Sequence, residues 1–275
     1  MHQSLYLDRL SVPGYARVEV VETSTSTNAE LVAAVRSDPA AWPAPSALIA
    51  EHQTAGRGRA GRTWETPARA GLTVSVLLRP QVPAGTLGWL PLLAGLAVVR
   101  TVSDGDGVTA AVKWPNDVLL PAVDTVAGLG RYRKVAGILA EVVPGGPGAP
   151  AIVLGIGLNV SQSAAELPAP TATSLALAGY PRPDRTDVLV RLLGEVHAVV
   201  RRWEQAGGDV VAAGLLDEYT AVSATLGTRV RAELAGGADV LEGDAVGLDE
   251  TGALVVRLKS GEERTVTAGD VWHLR

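Results

Sequence analysis

The segment Gln53-Thr-Ala-Gly-Arg-Gly-Arg-Ala-Gly-Arg-Thr-Trp64 concentrates three cations, Arg57, Arg59 and Arg62, on a backbone loosened by glycine. Alternating glycine and arginine lets guanidinium groups converge on an anion from several sides, and exposed backbone N–H groups can complete the cradle. Gly56, Gly58 and Gly61 also satisfy G-x-G-x-x-G, so a dinucleotide site has to be weighed. That fingerprint needs a helix opening directly after the glycines and an acidic residue about 20 positions on. Here Arg62-Thr-Trp-Glu-Thr-Pro67 leads toward another strand, and Arg79, Pro80 and Gln81 stand where the acid belongs. A nicotinamide-dependent oxidoreductase is disfavoured on that context. On the loop alone, a solvated Arg-Gly linker or an RNA-binding patch stays open.

Three other segments carry candidate chemistry. Lys113-Trp-Pro-Asn-Asp117 joins two strands, with proline fixing the turn and Asn116 and Asp117 able to accept hydrogen bonds. Lys134-Val-Ala-Gly-Ile-Leu-Ala-Glu141 places a lysine at the start of an apolar strand, on the face of Ala136 and Ile138 if the alternation is regular. The ordinary role of such a lysine is to snorkel to solvent. Gly155-Ile-Gly-Leu-Asn-Val160 is an apolar strand whose glycines permit close approach of a ligand or backbone, or mark a bulge. The chain has only three lysines, Lys113, Lys134 and Lys259, so arginine is its default cation. A lysine then marks a position that needs a compact ammonium.

These segments must be held by a scaffold that the pattern partly reveals. Arg17–Glu22 alternates as a strand, and Thr27 with Glu30 has capping-box spacing for a helix over Asn28–Arg36. Strands are expected at Ser46–Glu51, Gly71–Leu78, Val108–Trp114, Val118–Leu120, Lys134–Val143 and Ala151–Val160. On the strand at Gly71–Leu78, Leu72, Val74, Val76 and Leu78 share one face. Leu87–Val102 reads as a buried helix, Asp187–Gln205 as an amphipathic one, and Asp209–Tyr219 as a shorter third. Pro144–Pro150 and Ser161–Pro170 read as loops. After Ala221, short Val/Leu-rich runs with turns at Gly236-Gly237, Asp249–Gly252 and Ser260-Gly261 suggest a small all-β barrel. The division expected is 1–221 and 222–275.

Composition sets the outer bounds. At 275 residues, 47% of them hydrophobic, the chain can build one large domain and a small appendage. The net charge of −5 argues against general nucleic-acid affinity. There is no cysteine, hence no disulfide, thiolate nucleophile or Cys-type zinc site. Neither a signal peptide nor a membrane span is read from the sequence, and a cytoplasmic setting is expected.

Taken together, Ser26-Thr27-Asn28, Gln53 with the Gly56–Trp64 loop, Lys113–Asp117, Lys134-x-x-Gly137-Ile138-Leu139 and Gly155-x-Gly157-x-Asn159-Val160 resemble the catalytic domain of biotin–protein ligases in order and spacing. The resemblance covers about residues 17–221, and the C-terminal segment resembles the family's SH3-like barrel. It implies an α+β fold: a mixed sheet of the class II aminoacyl-tRNA-synthetase and biotin-ligase type with packed helices. It also implies ATP and biotin as substrates, with Mg2+. The carboxylate of biotin attacks the α-phosphate of ATP, and a lysine of a biotin carboxyl carrier domain of acyl-CoA carboxylases then attacks the biotinyl-5′-AMP. Lys134 and Arg59 are implied as catalytic. Ser26, Thr27, Asn28, Gln53, Arg57, Gly58, Arg59, Lys134 and Gly137 are implied around biotin. Arg57, Arg59, Arg62, Trp64, Lys113, Asn116, Asp117, Lys134 and Asn159 are implied around ATP and the adenylate, and no residue is assigned to the metal.

Two departures stand out. Ala60 sits where many members carry a further arginine. Only about 16 residues precede the first strand, too few for the winged helix-turn-helix of bifunctional members, so no DNA-binding role is expected. No membrane association is expected, and the resemblance allows a monomer or an adenylate-linked homodimer. The lipoate–protein ligases share the fold and the acyl-adenylate logic, but Gln53 and the Gly-Arg loop point to biotin.

Overall fold

The computed structural model describes residues 2–103, 109–143, 150–180, 183–234, 240–267 and 269–274. Seven strands form the larger sheet: β1 (Arg17–Ser24), β2 (Ser46–Gln53), β3 (Gly71–Leu78), β4 (Ala111–Lys113), β5 (Asp117–Val126), β6 (Gly130–Val143) and β7 (Ala151–Asn159). Their order is β1-β2-β3-β7-β6-β5-β4, with β1 and β2 parallel and every other pair antiparallel. The expected strands are all present, with somewhat different ends. Val108, residues 144–149 of the expected loop and the Gly236-Gly237 turn lie outside the described residues.

The alternation of β3 sorts the two faces as the sequence suggests. Leu72, Val74, Val76 and Leu78 enter the main core with α2 (Leu90–Val102), α3 (Arg185–Gln205) and α4 (Leu215–Ala221). The opposite face receives α1 (Thr27–Ser37), whose Leu31 and Val35 pack on Leu48, Leu77 and Val153. The cap of α1 is Ser26, one residue earlier than the capping-box spacing indicates. Its Oγ accepts from the Ala29 N–H, and Glu30 reaches back to the backbone and hydroxyl of Thr25. The third helix is also shorter than expected. Gly214, at φ 66°, interrupts residues 209–214, and α4 starts at Leu215.

Ala84–Val102 corrects one reading of the sequence. By length and hydropathy it does qualify as a membrane span, at a mean hydropathy of 1.4, but 67% of it is buried within the fold. Its apolar surface is spent on the sheet and on α3.

The C-terminal segment forms a second, antiparallel sheet of β8 (Arg229–Leu234), β9 (Val240–Leu248), β10 (Leu254–Leu258), β11 (Glu263–Val266) and β12 (Gly269–His273), in the order β11-β10-β9-β8-β12. It is an open SH3-like sheet rather than the closed barrel expected, since among the described residues β11 and β12 do not pair. Short strands satisfy the turn pattern without determining whether the ends meet. The Asp249–Gly252 turn fastens it to the larger sheet: Trp89 donates to the Glu250 carbonyl and Trp114 to the Gly252 carbonyl, each at 3.0 Å.

Glu51 and Arg185, each with a side chain only 5% exposed, form a buried pair at 2.7 Å. Glu51 also accepts from the Leu5 N–H, and Arg185 donates to the Gln3 and Gly71 carbonyls, so the pair ties the N-terminal strap and α3 to β2 and β3. Burial lowers the Arg185 pKa, and the Glu51 carboxylate opposes the shift. Glu51→Gln keeps the hydrogen-bonding shape but strands the guanidinium charge. It is expected to destabilise the fold by about 2 kcal/mol, read as a lower thermal midpoint. An unchanged midpoint would show that the pair contributes nothing net.

Candidate active site

The face of the larger sheet that carries α1 also carries a cleft of about 690 Å³, part of it open to solvent. Ser26, Thr27 and Asn28, at the N-terminus of α1, form one wall, and Gln53, at the end of β2, stands beside them. Gln53 Oε1 accepts from the Thr27 N–H at 2.8 Å and from its hydroxyl at 3.0 Å. Ser75, on β3, bridges the Thr27 hydroxyl (2.8 Å) and Asn28 Oδ1 (2.6 Å). The wall is neutral and polar, with its groups fixed by one another.

The floor is made of glycine. Gly137 of β6 pairs with Gly157 of β7, and Gly155 lies two residues along. The β7 register is continuous on both sides, so these glycines mark no bulge. Instead they admit side chains. A Cβ at Gly155 would stand 2.9 Å from Asn28 Cγ, and one at Gly157 would overlap the Trp64 indole.

The roof is the Gly-Arg loop, which is more ordered than an Arg-Gly linker. Gly58 N–H bonds the Arg62 carbonyl at 2.6 Å and Trp64 N–H bonds the Gly56 carbonyl at 2.8 Å, making a narrow hairpin. Gly56 is required there, because a Cβ would press on Trp64's carbonyl and lie 2.8 Å from Gln53 Nε2. At the tip Ala60 adopts a left-handed conformation, φ 52°. The position that departs from the family pattern is thus a strained one for any side chain.

Lys134 reaches the cleft for a reason that alternation misses. Leu119 pairs with Lys134 and Val118 with Ala136, so Val135 is an extra residue. Val135 and Ala136 both turn into the core, and Lys134 falls on the Gly137 face rather than with Ala136 and Ile138. Its ammonium lies 2.6 Å from Asp117 Oδ1 and 5.7 Å from the centre of the Trp64 ring. Arg59 bonds Asn116 Oδ1 at 3.2 Å, and Asn116 donates to the Ile138 carbonyl, which pins the loop to the β4–β5 turn. Burial lowers the Arg59 pKa, chiefly through lost solvation.

Of the expected site residues, Ser26, Thr27, Asn28, Gln53, Arg57, Gly58, Arg59, Arg62, Trp64, Asn116, Asp117, Lys134 and Gly137 all line this cleft. Lys113 does not. Its ammonium donates to the Val271 carbonyl at 2.6 Å, in an adjoining cleft shared with Arg62 and Asp270, and burial lowers its pKa. Asn159 does not either, since it donates to the Thr173 carbonyl and accepts from Gln162 beneath the sheet end. Sequence reasoning missed Ser75, Thr73 and Glu141. Period 2 along β3 and β6 would have placed them on the face opposite the core, which is a weak signal without knowledge of what covers that face.

Residues 19–159 match the Biotin/lipoate A/B protein ligase family and residues 225–274 match the Biotin protein ligase C terminal domain. The chain belongs to the biotin/lipoate protein ligase family and is an enzyme, a ligase of the biotin branch. It is 44% identical over 266 residues to the biotin–[acetyl-CoA-carboxylase] ligase of Mycobacterium tuberculosis, covering 95% of this chain and 91% of that one. The corresponding ligase of Paracoccus denitrificans is 32% identical, with 90% and 96% covered. Among solved structures, the biotin protein ligase of Aquifex aeolicus in complex with biotin and ATP superposes with a TM-score of 0.73 at 26% identity, covering 95% of this chain and 100% of that one.

Proposed function

We propose that this ligase forms biotinyl-5′-AMP from biotin and ATP and transfers the biotinyl group to a lysine of a biotin carboxyl carrier domain of an acyl-CoA carboxylase. The observation that carries the proposal is the meeting of a neutral hydrogen-bonding wall with four cations, Arg57, Arg59, Arg62 and Lys134, in one cleft. A urea needs donors and acceptors without charge, which Ser26, Thr27, Asn28 and Gln53 offer. A carboxylate approaching a phosphate needs fixed positive charge between them. The carboxylate oxygen bonds the α-phosphorus as the bond to pyrophosphate breaks. The acceptor amine then bonds the acyl carbon, AMP leaves, and the amine gives up a proton.

Lys134 is the cation between the two anions in this reading. Arg57, Arg59 and Arg62 bind the carboxylate and phosphates, and Trp64 packs over the glycine floor beside the adenylate. Asn116 and Asp117 border the phosphate end, with Lys113 at its far side. Asn159 acts from beneath, through the end of β7. Asp117 lines the cleft beside Lys134, and Glu141 stands at its edge against Asn28 and Arg57. A magnesium ion arriving on the triphosphate would find in the Asp117 carboxylate a hard oxygen donor. When bound, it would neutralise phosphate charge. We assign residues 1–221 to the catalytic unit and 222–275 to the C-terminal one.

The decisive assay mixes the protein with ATP, magnesium and biotin, or lipoate in a parallel tube, and looks for acyl-AMP by mass spectrometry. A biotinyl adduct alone supports the proposal, and a lipoyl adduct or none overturns it. Arg59→Gly removes the bond to Asn116 that holds the roof down. It is expected to form the adenylate but release it roughly tenfold faster, so that biotin spreads to unrelated lysines. Unchanged retention and selectivity would refute that role for Arg59.

A further inference from the structure

Glu141 has no part in the steps above, yet its carboxylate joins the pocket wall to the Gly-Arg loop. One oxygen, Oε2, accepts from Asn28 Nδ2 at 2.8 Å and from the Arg57 guanidinium at 3.0 Å. Asn28 is 4% exposed, and its Nδ2 also donates to the Leu139 carbonyl at 3.1 Å. Both partners of that nitrogen are acceptors only, so the amide cannot be turned around. Oδ1 therefore faces Ser75, and it keeps a second lone pair. Gly155 leaves the space in which this oxygen sits. The amide is held ready to accept from an N–H of a cyclic urea.

The other end of the link concerns charge. Arg57 is one of the cations that a carboxylate-bearing ligand would meet, and it is paired to Glu141. Any incoming carboxylate has to compete with Glu141 for it. The pair is half-exposed, with side chains 46% and 27% accessible, so the competition is mild.

We propose that Glu141 is a positioning residue for biotin recognition: it orients Asn28 toward the ureido N–H and holds Arg57 until the biotin carboxylate takes it over. This rests on the biotin-ligase reading of the cleft. The two roles separate in two variants. Glutamine offers Asn28 an acceptor oxygen but gives Arg57 no counter-charge, whereas alanine removes both. Binding to the full-length protein is measured by calorimetry with biotin and with biotinol, the analogue whose carboxylate is reduced to an alcohol.

In Glu141→Gln, biotinol affinity is expected to stay within about twofold of the parent. The preference for biotin over biotinol rises roughly two- to fivefold, because the competitor for Arg57 is gone. In Glu141→Ala both ligands weaken roughly tenfold, because a buried N–H of Asn28 loses its partner, and glutamine restores what alanine loses. An unchanged biotin-to-biotinol ratio in Glu141→Gln overturns the proposal, and so does parental biotinol affinity in a folded Glu141→Ala. If the parent protein itself binds neither ligand, the biotin reading falls and this proposal falls with it.

Discussion

Replacing Lys134 by alanine is expected to slow biotinyl-AMP formation about a thousandfold while the protein stays folded, the scale on which a single preorganised charge acts on a developing anion. The ammonium stands at the glycine floor, within 2.6 Å of Asp117 and across from Arg57 and Arg59 in the same cleft. Its fold role is small. The side chain is 32% exposed, and the pair it makes with Asp117 is worth at most about 1 kcal/mol to stability. Stability and turnover should therefore separate cleanly: a thermal midpoint close to the parent, with single-turnover adenylate formation almost gone. Lys134→Arg should not rescue it, because a planar guanidinium does not occupy the space of a compact ammonium. Near-parental turnover in Lys134→Ala would remove the lysine from the chemistry.

Gly155→Ala is expected to weaken biotin binding about a hundredfold, from the addition of a single methyl group. A Cβ at this position would overlap the Asn28 amide, which cannot step back. Asn28 is fixed by Ser75 on one side and by Leu139 and Glu141 on the other. Either the amide rotates out of the wall or β7 shifts away from it, and both displace the Asn28 amide from its place in the wall. Forcing a methyl group into a filled space also costs about 1–3 kcal/mol of stability, so the thermal midpoint should drop as well. Calorimetric titration with biotin gives the first quantity and a melting curve the second. Parental affinity would mean that Asn28 does not contact the ligand.

Much of the site was legible in the chain because it lies in short contiguous segments. Ser26 to Asn28, Gln53 to Trp64 and Asn116 to Asp117 each combine polar or cationic types with turn or cap residues, and local chemistry places such types at element ends. Those segments needed only to be brought together. The core face of β3 was equally legible, since alternating apolar residues on a strand have one way to be buried.

Position along an element was less secure. The bulge at Val135, which turns Lys134 onto the Gly137 face, leaves no mark in the sequence, because Val135 and Ala136 are both small and apolar. Register there is settled by pairing with β5, a partner that alternation cannot see. Asn159 and Lys113 have the residue types of ligands, and long-range partners at Thr173, Gln162 and Val271 set them outside the lining of the cleft. Ser75 and Glu141 matter only because α1 and the loop come to lie over them.

The sequence by itself determined the strand and helix inventory, the cationic loop, the start of α1 to within a residue and the chemical character of the cleft, since propensity, periodicity and residue type act over a few neighbours. The tertiary structure alone decided which face Lys134 joins, which polar groups are left free for a ligand and whether the last sheet closes. Those outcomes depend on pairings between residues tens of positions apart, whose energies are set by packing that no local pattern encodes.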